Sequence, residues 1–193
     1  MPKRLNHTAN ELFQSVTDKL HLDENTVILI IASVIGIVGG FGAVGFRVLI
    51  EHIQTIAIGG NNNILETVSA LPWYHKLLLP SIGGLIIGPL IYYLGKETKG
   101  HGVPEVMEAV ALRGGKIRSR VMFLKAFVSA VTIGTGGSVG REGPIVQIGS
   151  SLGSTFGQWF RVSQDRLKVL VACGAAAGIA GTFNAPIAGA LFA

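Results

Sequence analysis

Residues 134–144 read Gly134-Thr135-Gly136-Gly137-Ser138-Val139-Gly140-Arg141-Glu142-Gly143-Pro144. From Ala126 to Phe160 the only charged side chains are Arg141 and Glu142, and the flanks are closed by Lys125 and Arg161. A stretch of this length and polarity spans a bilayer, yet glycines, a proline and a charged pair break it at its midpoint. An ionisable side chain at mid-bilayer costs about 2.5–3.5 kcal/mol on insertion scales, so it marks a functional position by default. The break has the form of a discontinuous membrane helix whose half-helix ends face a substrate.

The composition agrees with a membrane setting. Apolar residues make up 49% and charged residues 14%, against about 25% charged in a soluble domain. The apolar residues fall in long blocks that an ordinary core does not need, which reads as an integral membrane protein. The net charge of +5 comes from cations that flank apolar blocks, where they set topology. The clustered basic and aromatic surface that nucleic acid requires is missing, so nucleic-acid binding is set aside. The 27 glycines follow no collagen-like period and suit close backbone approach between membrane helices. A single cysteine, Cys173, excludes an internal disulfide and a cysteine-based zinc site. The first apolar block, near Val27, is too long for the core of a signal peptide.

Taken in order, residues 1–25 are mixed and polar, with Leu5, Leu12, Phe13, Val16 and Leu20 at roughly helical spacing. This spacing is read as an amphipathic helix, lying on the membrane or packed on the protein itself. Lys3, Arg4 and Lys19 place this end in the cytoplasm. Val27 to Phe46 is uncharged and spans, with Arg47 and Glu51 paired at the far interface. Gly59 to His75 lacks Lys and Arg and is assigned to the outside, its Gly-Gly-Asn-Asn-Asn reading as a loop, with Trp73 and Tyr74 as interfacial anchors. Leu77 to Leu94 is a second span, Pro80 and Pro89 standing at an end and a kink. The basic stretch from Lys96 to Lys125 lies on the cytoplasmic side. Within it, Val103 to Leu112 is a helix too short to span, introduced by Gly100-His101-Gly102-Val103-Pro104-Glu105. Pro104 suits its first turn, Glu105 complements its positive end, and the glycines let backbone amides converge on a ligand. Beyond Arg161 a polar link leads to Val169–Ala193, which is uncharged and interrupted at Thr182-Phe183-Asn184-Ala185-Pro186. Asn184 is expected as an N-cap with Pro186 just inside the next helix. The sequence stops inside an apolar run, which reads as a truncation.

The glycine run does not fit a nucleotide loop. A dinucleotide fingerprint needs a strand before it and a soluble βαβ context, and a P-loop needs a Lys-Ser or Lys-Thr that is absent here. Helix-end chemistry fits better. Gly143-Pro144 opens a helix toward Trp159, its first amides lack intrahelical partners, and its dipole puts about half a positive charge at that end. Such an end attracts an anion, and Glu142 is an anion tethered beside it. Glu142 either competes with a mobile anion as a gate or merely neutralises Arg141 and caps the helix.

These residues carry a family resemblance. Gly140-Arg141-Glu142-Gly143-Pro144, followed by Ile-Val-Gln-Ile-Gly-Ser, closely resembles the signature of the CLC chloride channels and proton-coupled chloride transporters. Gly100-His101-Gly102-Val103-Pro104 resembles the family's upstream G-S-G-I-P element. Ala175-Ala176-Ala177-Gly178 through Phe183-Asn184-Ala185-Pro186-Ile187-Ala188-Gly189 resembles the segment beyond the gate. The three occur in the family's order, and the resemblance covers Val27 to Ala193.

The resemblance implies an all-α integral membrane protein, with residues 26–193 forming the N-terminal half of an inverted-repeat fold. Tilted and broken helices bring their N-termini together at mid-membrane, and the full-length protein is a homodimer with one pore per subunit. It implies that Glu142 gates the anion path and, in exchangers, carries the proton. Arg141 and Gly143 contribute to the outer anion site, while Gly100, His101 and Gly102 line the inner and central sites. Chloride is the implied transported ligand, protons a possible second one, and no metal or other cofactor is expected. The setting is multi-pass in the cell membrane. Two departures stand out. His101 replaces the family's serine, so the anion preference is open; an imidazole N–H can also donate to an anion. The family's later G-x-F-x-P element, pore tyrosine and inner glutamate have no counterpart up to Ala193. Channel and exchanger both stay open, and a non-transporting membrane interaction module is the alternative. A membrane enzyme has little support, since His52, His75 and His101 lie far apart and no metal-ligand spacing occurs.

Overall fold

The computed structural model describes residues 24–59, 64–94 and 102–193. The described residues fold into eight helices with no strand. In chain order they are α1 (Glu24–Ile58), α2 (Ile64–Ala70), α3 (Trp73–Leu94), α4 (Gly102–Leu112), α5 (Ser119–Gly134), α6 (Glu142–Trp159), α7 (Gln164–Phe183) and α8 (Pro186–Phe192). Three of them, α1, α3 and α7, are long and apolar enough to cross a membrane.

The α1 helix runs unbroken through 35 residues, about 52 Å at 1.5 Å per residue. That exceeds a hydrocarbon core of about 30 Å, so it must tilt or project. The span expected over Val27–Phe46 is thus part of a longer helix. Its buried side chains are Val27, Ile31, Ile35, Ala43, Phe46 and Ile50, and Gly39 falls in register with them. This i, i+4 stripe faces the other helices, while Leu29, Ile30, Val34, Ile37, Phe41 and Val44 are exposed on the other side. The Arg47 and Glu51 side chains pair at 2.8 Å, as their spacing predicts.

The segment assigned to the outside carries a short helix beyond its Gly-Gly-Asn-Asn-Asn run, most of which lies outside the described residues. Ile64–Ala70 forms α2, and Trp73 already opens α3, so Pro80 lies inside that helix rather than at its end. Residues 1–23, which hold most of the expected amphipathic segment, lie outside the described residues.

The centre of the bundle is α6. Ten of its residues are buried, among them Gln147, Ser150, Ser151 and Ser154. Gly149, Gly153 and Gly157 recur every four residues on its contact with α7. A Cβ on Gly149 would strike the Gly174 carbonyl, and one on Gly153 would strike that of Leu170. Small residues therefore let the two backbones touch, which in a membrane supplies the van der Waals contact that lipid cannot. The pair packs in turn on α1 and α8, and Gly189 of α8 seats against the Ala176 carbonyl.

Between α7 and α8 the expected cap is corrected. Asn184 is the C-cap of α7, in the left-handed region at φ 52°, and Ala185 is the N-cap of α8. Asparagine tolerates that conformation better than other non-glycine residues. Pro186 occupies the first turn of α8 as expected.

Candidate anion site

The break quoted above is built by helix-end chemistry. The α5 helix ends in a Schellman motif: the Gly137 amide donates to the Thr132 carbonyl at 2.8 Å and the Gly136 amide to Ile133 at 3.0 Å. Gly136 takes φ 91°, which this motif demands. Thr135 Oγ1 donates to the Val131 carbonyl at 2.8 Å, covering another helix-end acceptor. The chain then reverses through residues 138–141 and enters α6 at Glu142. Pro144 sits in the first turn, where its missing amide removes nothing from the helix.

Glu142 at the start of α6 is exposed, Gly143 and Pro144 are half-buried, and the helix is buried from Ile145 to Ser151. Gly178, within α7, packs so tightly on the Ile145 carbonyl that a Cβ would come within 2.8 Å. The start of α4 meets the same place. Gly102, at φ 27°, faces Gly143, and a Cβ on Gly102 would lie 2.8 Å from the Gly143 Cα. Two helix N-termini thus converge through a pair of glycines.

A cavity of about 500 Å³ opens at this junction. Gly102, Val103 and Pro104 line it from α4, Gly140, Glu142 and Gly143 from the break and α6, and Val128 and Ser129 from α5. The Glu142 carboxylate folds back over Gly140, in the place where a Cβ there would project. It makes no ion pair with Arg141, which is exposed. Neutralisation of one by the other is therefore absent from the structure. Of the expected anion-site residues, Gly102, Glu142 and Gly143 are gathered at the cavity. Arg141 adjoins it without lining it, and Gly100 and His101 lie outside the described residues.

The cavity has a polar wall that the linear sequence did not reveal. Lys125 of α5 forms an ion pair with Glu105 of α4, the two side chains being 11% and 18% exposed. Gln147 of α6, 2% exposed, donates from Nε2 to the same carboxylate oxygen at 2.9 Å. Lys125 and Gln147 both line the cavity. Lys125, expected as an interfacial flank, is instead a buried cation inside the bundle. Removing a charge from water is tolerable only with compensation, and Glu105 supplies it. Glu105 also stands in the first turn of α4, where the helix dipole favours an anion. Twenty residues separate Glu105 from Lys125, and forty-two separate Glu105 from Gln147. No short-range pattern joins them; a lone glutamine in an apolar run was the one available signal.

The arrangement presents unsatisfied amides, two positive helix ends and a buried ammonium to one cavity, with one mobile-length carboxylate at its edge. That is a chemistry for anions. Among the described residues no group of three His, Cys, Asp or Glu side chains is placed to hold a metal.

Comparison with known proteins bears on the same region. A family profile described as "Voltage gated chloride channel" matches residues 83–193. The chain belongs to the voltage-gated chloride channel (CLC) family. A putative chloride channel protein, ClcB-like, of Ralstonia nicotianae is 39% identical over 168 residues, covering 85% of this chain and 39% of that protein. The voltage-gated ClC-type chloride channel ClcB of Escherichia coli is 33% identical over 168 residues, covering 85% and 40%. The crystal structure of a slow cyanobacterial Cl-/H+ antiporter superposes with a TM-score of 0.65 at 29% identity, covering 84% of this chain and 38% of that one. The chain therefore spans about two fifths of the length of the relatives it matches. The matched residues include α4, α5, the break and α6, which line the cavity.

Proposed function

We propose that the protein conducts chloride across a membrane as part of a CLC-type transporter, with Glu142 as the gate and the proton carrier. The observation that carries this reading is the meeting of Gly102 and Gly143 at a cavity over whose edge the Glu142 carboxylate lies. A chloride ion losing its hydration shell there meets fixed amide dipoles and the Lys125 ammonium. The carboxylate competes for the same positive end. When Glu142 binds a proton its charge disappears, it no longer competes, and the anion path opens. Exchange follows if the proton leaves on the other side. The Cl-/H+ antiporter among the structural relatives supports proton coupling, and the chloride channels among the sequence relatives support chloride.

In this reading the full-length protein is a homodimer, its N-terminus is cytoplasmic, and it resides in the cell's inner membrane. The basic residues on the α4–α5 linker and the α6–α7 turn support that orientation by the positive-inside rule. His101 stands beside Gly102 in sequence, at the family's serine position, and widens the set of acceptable anions.

The test is flux in liposomes with the protein reconstituted at controlled pH on each side. Glu142→Gln mimics the protonated gate. Chloride flux in the variant is expected to become independent of pH, with proton movement lost. Unchanged pH dependence and unchanged proton flux in Glu142→Gln would remove Glu142 from both roles.

A further inference from the structure

Two loops at one end of the bundle are fastened together. Ser154 Oγ accepts the Ile117 amide at 2.8 Å and donates to the Gly115 carbonyl at 2.6 Å. Gln158 Nε2 donates to the Ile117 carbonyl at 3.2 Å. Gly114 and Gly115 pack on Gln164 and Leu167 so closely that a Cβ on either would lie 3.2 Å away. The linker between α4 and α5 is thereby held against the turn between α6 and α7. Val27 and Ile31 at the start of α1 pack on Leu170, Phe156 and Phe160 at the same end.

This joined surface is cationic. Lys116 and Arg120 on the linker side and Arg161 in the turn are all exposed and have no carboxylate partner among the described residues. Arg161 takes the left-handed conformation, φ 53°, that reverses the chain between α6 and α7. Two residues earlier Trp159 is 62% exposed, its ring 5.6 Å from that of Phe160. Exposed tryptophan beside unpaired cations, at the end of an apolar bundle, is the composition of a bilayer interface. The hydrogen bonds through Ser154 and Gln158 fix the loops in advance, so little ordering is needed to engage a headgroup.

We propose that this end of the protein binds the phosphate headgroups of anionic phospholipids, with Lys116, Arg120 and Arg161 as the headgroup contacts and Trp159 seated among the acyl chains beside them. Exposed cations at the membrane surface attract anionic lipid headgroups, by about 1 kcal/mol per Lys or Arg. A soluble acidic partner would be drawn by the same cations but would not account for Trp159 at their rim. The binding is independent of Glu142 and of the transport reading.

The sequence has two tryptophans, Trp73 and Trp159, so Trp73→Phe leaves Trp159 as the sole reporter. The protein is titrated in neutral micelles with phosphatidylglycerol or phosphatidylcholine carrying brominated chains, and quenching is followed. Half-quenching is expected at no less than about fivefold lower phosphatidylglycerol than phosphatidylcholine, the factor for one cation worth about 1 kcal/mol. Lys116→Gln, Arg120→Gln and Arg161→Gln together are expected to erase the difference, while Lys116→Arg, Arg120→Lys and Arg161→Lys together retain it. Lys76→Gln, on α3, is expected to leave it intact. High salt supplies a measurement that needs no variant, because screening of exposed charges should collapse the preference. Equal quenching by the two lipids at low salt overturns the proposal, as does a preference that survives the glutamine substitutions or high salt.

Discussion

The helices α3 and α6 invert the usual relation between hydropathy and burial. The α3 helix is apolar enough to span, yet only 11% of its apolar window is buried, and Leu77, Leu85, Tyr92 and Tyr93 are widely exposed. The α6 helix is not among the spanning candidates, but it is buried along most of its length with glutamine and three serines inside. Lipid selects for apolar side chains and has no use for hydrogen bonds, so hydropathy reports the surface turned to the bilayer. A helix enclosed by other helices can carry polar groups that bind its neighbours. The cavity-lining α6 thus looks little like a membrane span, and its glycines matter because they face the backbone of α7.

The largest effect expected from this contrast is at Lys125. Lys125→Met leaves the Glu105 carboxylate largely buried without its cation, held only by Gln147 and the α4 helix end, and breaking such a pair costs up to about 3–5 kcal/mol. The midpoint of denaturant unfolding in micelles measures it. Lys125→Met combined with Glu105→Gln should recover most of the loss, because no unpaired charge is left. If Lys125→Met costs no more than Lys76→Gln on α3, the polar interior around α6 is not what holds α4, α5 and α6 together.

How much of this was legible beforehand depended on range. The break, the start of α6 at Glu142, Pro144 in its first turn, the short α4 and the Arg47–Glu51 pair all follow from neighbours within four residues. So does the end of α5, once Thr135-Gly136-Gly137 is read as a terminator. The Lys125–Glu105–Gln147 wall was hidden because its members come from three helices. A lysine at the edge of an apolar block looks the same whether it faces headgroups or a buried carboxylate. Asn184 was misplaced for a different reason: its side chain suits an N-cap while its backbone suits a left-handed C-cap, and here the backbone decides. The every-fourth glycines of α6 are visible in the sequence, but their partner on α7 is not.

Those glycines give the next prediction in size. Gly149→Ala places a methyl group against the Gly174 carbonyl, and backbone on both sides cannot yield as a side chain can. Forced overpacking of this kind costs about 1–3 kcal/mol. Gly83→Ala in α3 should behave similarly, since its Cβ would meet Thr135 at the end of α5. Unfolding midpoints of the two variants sharpen the contrast: α3 is packed at Gly83, and α6 along most of Ile145–Gly157. A harmless Gly149→Ala would mean that α6 and α7 can separate without loss.

The smallest effect carries the opposite sign. Gly84 is the neighbour of Gly83, lies inside the same helix and has nothing within 4 Å of its ideal Cβ. Alanine there meets no obstacle and removes the conformational freedom that glycine brings to the unfolded chain. A helix-interior glycine is worse than alanine by about 0.5–1 kcal/mol, so Gly84→Ala should stabilise by up to that amount. The two adjacent substitutions would then move the unfolding midpoint in opposite directions, which no average property of α3 could produce. A loss at Gly84 equal to that at Gly83 would show that the exposed face of α3 is held against protein rather than lipid, and the contrast between α3 and α6 would narrow to a difference in polarity alone.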